Sequence, residues 1–216
     1  MSDIEIQVDF RARFGTVRDQ GTRSSCLACA ATDAHSYCHA LADPLSVEFL
    51  FYQAGRRMAG RDVTGGLTFD AVDDALQVEG QPLESEWPYQ CVTPIPWKPP
   101  AVTTRWYGAL DDPIAAATEI AATLRTETPV VLGLRLTGEF LAPRRMPFII
   151  PSKGSGFGGH AVLAVGLGQE KANGTVILIR NSWGEAWGLQ GHAWLAQAYL
   201  DDKLIGYRTL TSRSVT

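Results

Sequence analysis

The sequence predicts an α+β fold, with helices in the first half of the chain and strands in the second. Three runs with helical hydrophobic spacing or an Ala-rich composition lie at about 26–41, 47–58 and 69–78. Runs rich in β-branched and aliphatic residues follow at 130–136, 161–165, 175–180 and 192–195. Because the two kinds of segment are separated rather than alternating, the pattern favours a helical lobe followed by a sheet or barrel.

Local signals set the expected ends of the helices. The serine pair at 24–25 offers candidate N-caps for a first helix that begins at Cys26. Thr68 is placed to cap the third helix in the same way. Further along, Asp112 followed by Pro113 indicates the start of one more helix ahead of the strands.

A proline-rich segment marks the candidate boundary between the lobes. Residues 82–100 contain six prolines, which predicts an ordered but irregular crossover. We therefore expect a single domain over residues 1–216, with a helical lobe at about 11–105 and a β-rich lobe at about 106–204. The terminal segments are free to cross from one lobe to the other.

Composition excludes several classes of protein. A net charge of -4, with both signs scattered along the 216 residues, provides no basic surface for nucleic acid and no polybasic membrane anchor. No stretch approaches the ~20 consecutive apolar residues of a membrane span, and the N-terminus lacks the pattern of a secretory signal. We therefore expect a protein or peptide partner, with no nucleic acid and no membrane.

Cysteine usage indicates a reducing compartment. Four cysteines are few for a secreted domain, and three of them lie in one predicted helix, where bridging is disfavoured; they are Cys26, Cys29, Cys38 and Cys91. We expect four thiols, a cytoplasmic location, and a buried thiol at Cys91 in the crossover.

The most informative stretch is a turn-rich loop, residues 20–28, that delivers Cys26 to the start of a helix. At that position the backbone N–H groups and the helix dipole stabilise a thiolate, the form of cysteine that attacks carbonyl groups. Taken alone, a cysteine that begins a helix is more often an inert core residue. Residues elsewhere in the chain must therefore decide its role.

Two later segments supply those residues. His160 stands in a Gly-Gly-His-Ala-Val segment ahead of an apolar strand, and Asn181 stands in an Arg-Asn-Ser-Trp-Gly segment that follows another strand. With Gln20 and Cys26 before them, the chain order is Gln, Cys, His, Asn. In this order and at these separations, the sequence resembles the papain and cathepsin family of cysteine peptidases.

The resemblance extends beyond the catalytic positions. The glycine pair at 65–66 and the segment at 84–89, Glu-Ser-Glu-Trp-Pro-Tyr, look like two further family motifs, and the match runs from about Phe10 to Leu195. It implies a two-lobe papain-like fold, with a helical N-terminal lobe and an antiparallel sheet or barrel in the C-terminal lobe. The active site would lie in the cleft between the lobes.

The resemblance also implies a catalytic role for each matching residue. Cys26 would attack the scissile carbonyl carbon, and His160 would act as general base and then as general acid. Asn181 would orient the imidazole, and Trp183 would shield the hydrogen bond between them from water. Gln20 would donate its side-chain amide to the oxyanion, together with the Cys26 backbone N–H.

Substrate-binding positions follow from the same match. Gly66 would pair its backbone with an extended substrate, which requires close approach and no side chain. Residues that would line the S1 and S2 regions are Ser25 and Gly65 for S1, and Leu67, Thr68 and Gly159 for S2. None of the S2 residues is charged, so an apolar P2 side chain is expected.

The sequence departs from the family at two positions close to the nucleophile. Arg23 stands where secreted members carry a disulfide cysteine, and Leu27 replaces the usual tryptophan. Only twenty-five residues precede Cys26, so we expect no long inhibitory propeptide in this sequence. Control would then come from elsewhere, for example from a separate protein inhibitor or regulator.

Other chemical interpretations have less support. Cys26 and Cys29 form a Cys-x-x-Cys pair, which together with nearby histidines has the residue types of a zinc or redox site. A continuous helix, however, lacks the turn that such sites need. Residues 154–159 match G-x-G-x-x-G, yet a strand rather than a helix follows. We therefore expect no metal and no cofactor.

Three functions remain open for a chain of this kind. The first is hydrolysis of peptide bonds through a Cys26 thioester. The second is a papain-fold binding module without turnover, suggested by Leu27 and by the short N-terminal segment. The third is acyl transfer or deamidation by the same Cys26 and His160, which shares the thioester and differs only in the group that resolves it.

Overall fold

A computed structural model describes residues 4–111, 118–143 and 148–214. The chain divides into two compact units, each of which is described by itself. One consists of Met1–Asp19 and Asp112–Thr209, and the other of Gln20–Asp111 and Leu210–Thr216. The expected helix start at Asp112 and Pro113 lies outside the described residues.

The second unit is mainly helical. It contains α1 (Cys26–Cys38), α2 (Val47–Gly55) and α3 (Phe69–Val78), together with a small antiparallel sheet of β2 (Tyr107–Leu110) and β9 (Leu210–Arg213). Thr68 caps α3 as expected, since its side chain accepts a hydrogen bond from the backbone of Ala71 at 3.2 Å. Ser46 caps α2 in the same way.

Three details of this unit differ from the sequence prediction. The first two helices end at Cys38 and Gly55, a few residues earlier than expected. The side chain of Ser25 makes no cap hydrogen bond to α1, because its hydroxyl instead pairs with that of Tyr89 at 2.6 Å. Cys91 is exposed rather than buried.

The first unit is built on a seven-stranded sheet. Its strands are β1 (Glu5–Asp9), β3 (Val130–Leu136), β4 (Ile149–Ile150), β5 (Phe157–Glu170), β6 (Gly174–Arg180), β7 (His192–Ala196) and β8 (Leu204–Arg208). The order along the sheet is β4-β7-β6-β5-β3-β8, with β1 paired to β5. The helices of this unit are α4 (Thr118–Arg125), α5 (Gly138–Leu141) and α6 (Gln197–Lys203).

The sheet corrects the expectation of a purely antiparallel sheet or barrel. The pair β4 and β7 runs parallel, whereas the other pairs are antiparallel. Among the described residues the path ends at β4 on one side and β8 on the other, so no closed barrel forms. The prediction of an α+β class is confirmed, since one unit is largely helical and the other is centred on a sheet.

The long central strand β5 positions the first predicted site residue. Its first half pairs with β3, where His160 lies opposite Leu134, and its second half pairs with β1. A glycine is needed where the pairing of β5 passes from β3 to β1, because a Cβ on Gly166 would lie 2.6 Å from the carbonyl oxygen of Val8. β6 pairs along the other edge of β5 and ends at Arg180, directly before Asn181.

Two further observations concern the cysteines and the helices in the described part of the chain. All four cysteines are present as thiols. No described helix combines the length and apolar character that crossing a bilayer requires.

Candidate active site

Cys26 is the first residue of α1, in the helical unit. The helix opens with the backbone N–H of Cys29 donating to the carbonyl of Ser25 at 2.9 Å. Cys26 is half-buried, whereas its neighbour Leu27 is 5% exposed and packs in the core. The N-terminus of α1 therefore carries a partly accessible thiol.

The loop before Cys26 is held by hydrogen bonds that converge on Gln20. The Gln20 side chain is buried, and its Nε2 donates to the carbonyl of Arg23 at 2.8 Å. The hydroxyl of Tyr89 donates to the carbonyl of Gln20 at 2.9 Å. Gly21 adopts a φ of 59°, and a Cβ there would lie 2.7 Å from that of Cys91, so the turn excludes a side chain.

The glycine pair lies beside this loop, in the same unit. Ser24 donates its hydroxyl to the carbonyl of Thr64 at 2.7 Å, and a Cβ on Gly66 would lie 3.7 Å from the Ser24 carbonyl. Gly66 has a φ of 91°, and a Cβ on Gly65 would have no neighbour within 4 Å. Gly66 therefore lies next to the loop that carries Cys26, and Gly65 precedes it at an open position. Leu67, which follows them, is half-buried.

His160 and Asn181 meet in the β-rich unit. The His160 Nε2 lies 2.7 Å from the Asn181 Oδ1, and that oxygen also accepts the backbone N–H of Ser182 at 2.8 Å. Because an amide oxygen only accepts hydrogen bonds, Nε2 carries the proton and Nδ1 bears the lone pair of the neutral ring. Asn181 is itself held in place, since its backbone N–H donates to the carbonyl of Gly191 at 2.9 Å.

Aromatic rings enclose this pair. The centroid of Trp183 lies 4.5 Å from that of His160, at an interplanar angle of 35°. Phe140 contacts the same imidazole edge-on at 5.8 Å, and the Trp187 indole donates to the Phe140 carbonyl at 3.1 Å. Trp183 was expected here from the sequence. Phe140 and Trp187 were not, because no local motif links them to a histidine.

Burial changes the protonation of His160. The residue is only 6% exposed, which lowers its pKa from 6.5 to about 4, and the hydrogen bond to Asn181 opposes part of this change. A buried site disfavours the charged imidazolium because it removes water from the cation. His160 is therefore neutral at pH 7, with a lone pair on Nδ1 that can accept a proton.

An apolar side chain lies next to Gly159, also in the β-rich unit. A Cβ on Gly159 would lie 3.8 Å from the Cδ1 of Ile205, which is 57% exposed although it is a large aliphatic residue. Ile205 belongs to β8, a strand that the sequence analysis did not predict. Its proximity to Gly159 depends on long-range strand pairing through β3, for which the local sequence carries no signal.

The predicted site residues are thus divided between the units. The helical unit contains Cys26 and the following predicted residues: Gln20, Ser25, Gly65, Gly66, Leu67 and Thr68. The β-rich unit holds His160, Asn181, Trp183 and Gly159. Within the helical unit Gln20 and Gly66 contact the loop that carries Cys26. Within the β-rich unit Asn181 and Trp183 contact His160.

Comparison with known proteins decides the family. A family model described as papain family cysteine protease matches residues 4–207, nearly the whole chain. The chain belongs to the papain family of cysteine proteases. The resemblance drawn from the Gln, Cys, His and Asn motifs is confirmed.

Relatives within the papain family are distant in sequence. A cathepsin L-like peptidase of Aedes aegypti is 27% identical over 203 residues, which cover 90% of this chain and 60% of that protein. Cathepsin Q of Rattus norvegicus is 28% identical over 189 residues, covering 84% and 54% respectively. The chain therefore spans a little over half of the length of these curated relatives.

Solved structures show the papain-like fold. Xylellain, a cysteine protease from Xylella fastidiosa, matches with a TM-score of 0.72 at 18% identity, covering 99% of this chain and 94% of that one. The bromelain protease from Ananas comosus, solved with the E64 inhibitor, matches with the same TM-score and identity over 96% and 98%. The predicted papain-like fold is confirmed.

Proposed function

We propose that this chain is a cysteine peptidase that hydrolyses peptide bonds through a Cys26 thioester, with His160 as general base and acid. The observation that carries the proposal is the state of His160. Its Nε2 lies 2.7 Å from the Asn181 Oδ1 and donates to it, which leaves the lone pair of the other ring nitrogen, Nδ1, to accept a proton. Family membership and the position of Cys26 at the start of α1 support the nucleophile.

The first half-reaction forms the thioester. His160 takes the Cys26 proton, and the thiolate sulfur bonds to the scissile carbonyl carbon, whose oxygen becomes an oxyanion. The Gln20 amide and the Cys26 backbone N–H donate to that oxyanion; loss of one such donor typically costs ~3 kcal/mol of transition-state stabilisation. The imidazolium then gives its proton to the leaving amine as the C–N bond breaks.

The second half-reaction restores the enzyme. His160 takes a proton from water, and the hydroxide oxygen bonds to the thioester carbonyl carbon. The C–S bond breaks, the acid product leaves, and the proton on His160 returns to the Cys26 sulfur. Asn181 keeps the ring in one tautomer throughout, and Trp183 limits the access of water to the bond between them.

Substrate recognition is proposed for two sets of residues. Gly66 would pair its backbone with an extended peptide, and Gly65 would line the S1 region. Ser25 was also expected in S1, but it is fully buried and its hydroxyl pairs with that of Tyr89, so it offers no surface to a substrate. The S2 region would be lined by Leu67, Thr68 and Gly159, and Ile205 beside Gly159 adds an exposed apolar side chain. A charged P2 side chain would lose its hydration there without gaining a partner, so an apolar P2 residue is favoured.

Peptide hydrolysis by matched cysteine variants tests this function. Cys26→Ala should abolish cleavage of a fluorogenic peptide with an apolar P2 residue, because it removes the nucleophile. Cys29→Ala, three residues along the same helix and 2% exposed, is the control that removes a thiol while keeping the proposed nucleophile. Asn181→Ala should be milder than His160→Ala, since it loosens the base without deleting it.

The same experiment separates the other functions. Cleavage that persists in Cys26→Ala would refute the nucleophile assignment. A well-folded wild-type protein that neither cleaves peptides nor forms a thioester would instead be a binding module of papain fold. Adding an amine nucleophile to the assay distinguishes acyl transfer, which yields an amide product, from hydrolysis, which yields the acid.

A further inference from the structure

A buried ion pair anchors the loop that carries Gln20. Nη1 and Nη2 of Arg23 lie 2.6 Å and 2.9 Å from the two carboxylate oxygens of Glu48. The two side chains are only 4% and 0% exposed. This paired geometry depends on the planar fork of an arginine, which a lysine cannot reproduce.

Aromatic rings and a second hydrogen-bond acceptor surround the ion pair of Arg23 and Glu48. The Trp97 indole donates to Glu48 at 2.6 Å, and the Arg23 guanidinium donates to the carbonyl of Gln90 at 2.7 Å. The guanidinium carbon lies 4.8 to 5.2 Å from the ring centroids of Phe51, Tyr89 and Trp97. The Arg23 side chain is therefore confined to one orientation.

Arg23 also holds Gln20 through its own backbone. The carbonyl of Arg23 accepts the Gln20 Nε2 at 2.8 Å. Tyr89, whose ring faces the guanidinium, donates its hydroxyl to the Gln20 carbonyl at 2.9 Å. The side chain of Arg23 thus ties the loop to Glu48 in α2, while its carbonyl sets the direction of the Gln20 amide.

Stability alone is a weak reason to keep such a pair. Taking two charges out of water is costly, and replacing a buried ion pair by apolar residues of similar volume is often neutral or stabilising. We propose that Arg23, locked by Glu48, is a positioning residue that aims the Gln20 amide at the oxyanion. The catalytic part of this inference rests on the proposed peptidase function.

The kinetic signature of this role is a loss of kcat. Gln20 would bind charge that develops only in the transition state, so misalignment lowers kcat and leaves KM within about twofold. Arg23→Met should lower kcat by roughly 10- to 100-fold, less than the 10²- to 10³-fold typical of deleting an oxyanion donor. Arg23→Lys keeps the charge but loses the fork, and should also lower kcat.

A double-mutant cycle with Gln20→Ala identifies the path of the effect. If Arg23 acts through Gln20, Arg23→Met should change kcat by less than about threefold in the Gln20→Ala background. Full multiplication of the two losses would overturn the proposal. Arg57→Met is the control, because Arg57 pairs with Glu79 at 3.8 Å in the same unit, and it should leave kcat unchanged.

A second measurement reads the position of Gln20 without catalysis. In a ¹⁵N NMR spectrum, the side-chain amide of Gln20, assigned by its disappearance in Gln20→Ala, should have shifts away from those of a free glutamine. In Arg23→Met/Glu48→Leu, which removes both charges and so leaves neither buried alone, these signals should collapse to free values while the rest of the spectrum stays dispersed.

Retention of the shifted Gln20 signals in that folded double variant would overturn the proposal, whether or not the protein cleaves peptides. A wild-type protein without peptidase activity would refute the proposed function alone, because the NMR comparison would still decide whether Arg23 holds Gln20.

Discussion

Removal of the Trp183 ring should raise the pKa of His160. Burial is the larger cause of the lowered pKa, and the change from 6.5 to about 4 corresponds to roughly 3 kcal/mol disfavouring the cation. Two rings cover the imidazole, and Trp183 is the nearer, at 4.5 Å against 5.8 Å for Phe140. If Trp183 supplies about half of the dehydration, Trp183→Ala should bring the pKa to roughly 5 to 5.5.

An NMR titration of the histidine ring protons measures this change directly. The Cys26→Ala background removes the thiol that the proposed mechanism couples to His160. His35, buried in the helical unit with a pKa also lowered to about 4, serves as an internal reference that should not move. Trp183→Phe keeps an aromatic ring over His160, so the pKa of His160 in that variant should stay within about 0.5 of the wild-type value.

A His160 pKa that stays near 4 in Trp183→Ala would refute this reasoning, because some other part of the fold would then exclude water from the ring. A fall in the pKa would refute it as well. That result would mean that loss of support for the Asn181 hydrogen bond, which favours the cation, outweighs the gain in hydration.

Three further predictions concern stability, thiols and specificity. Burial lowers the pKa of His35, His160 and His192 to about 4. The free energy of unfolding should therefore fall as the pH drops from 6.5 to 4, by at most roughly 3 kcal/mol for each histidine. Equal urea midpoints at pH 7.5 and 4.5 would contradict this. Thiol titration of denatured, unreduced protein should count four thiols per chain, and a count of two or fewer would contradict both the thiol assignment and the cytoplasmic location, which stays a prediction. A positional-scanning peptide library should select Leu, Val or Phe at P2, whereas Ile205→Glu should increase acceptance of Arg or Lys; strong selection for basic P2 residues by the wild type would show that the assigned pocket is wrong.

Elements with strong local signals were predicted closely. The third helix has the predicted ends, Phe69 and Val78, because Thr68 caps it and its apolar spacing is regular. The strand Val130–Leu136 also has its predicted limits. Cys26, His160 and Asn181 were selected because each stands in a recognisable motif. His160 was expected ahead of an apolar strand but lies inside β5, because that strand begins at Phe157.

Features that depend on long-range pairing were missed. Glu48 is 25 residues from Arg23, and nothing near either residue indicates that they form an ion pair. The short strands β4 and β8 carry little pattern of their own, so the neighbours that they bring together were not expected; Ile205 beside Gly159 is the clearest case. Ser25 occupies the N-cap position of α1 but makes no side-chain capping bond, because Tyr89, 64 residues away, pairs with its hydroxyl.

The most direct test of the central claim is the location of a covalent inhibitor on the intact protein. The wild type, reduced and treated with one equivalent of a peptidyl epoxide, should gain one adduct, and peptide mapping should place it on Cys26. Cys91 is the demanding comparison, because it is exposed whereas Cys26 is half-buried. His160→Ala should label much more slowly, since the base that activates the thiol is gone. Labelling that favours Cys91, or labelling of Cys26 at the same rate with and without His160, would contradict the account.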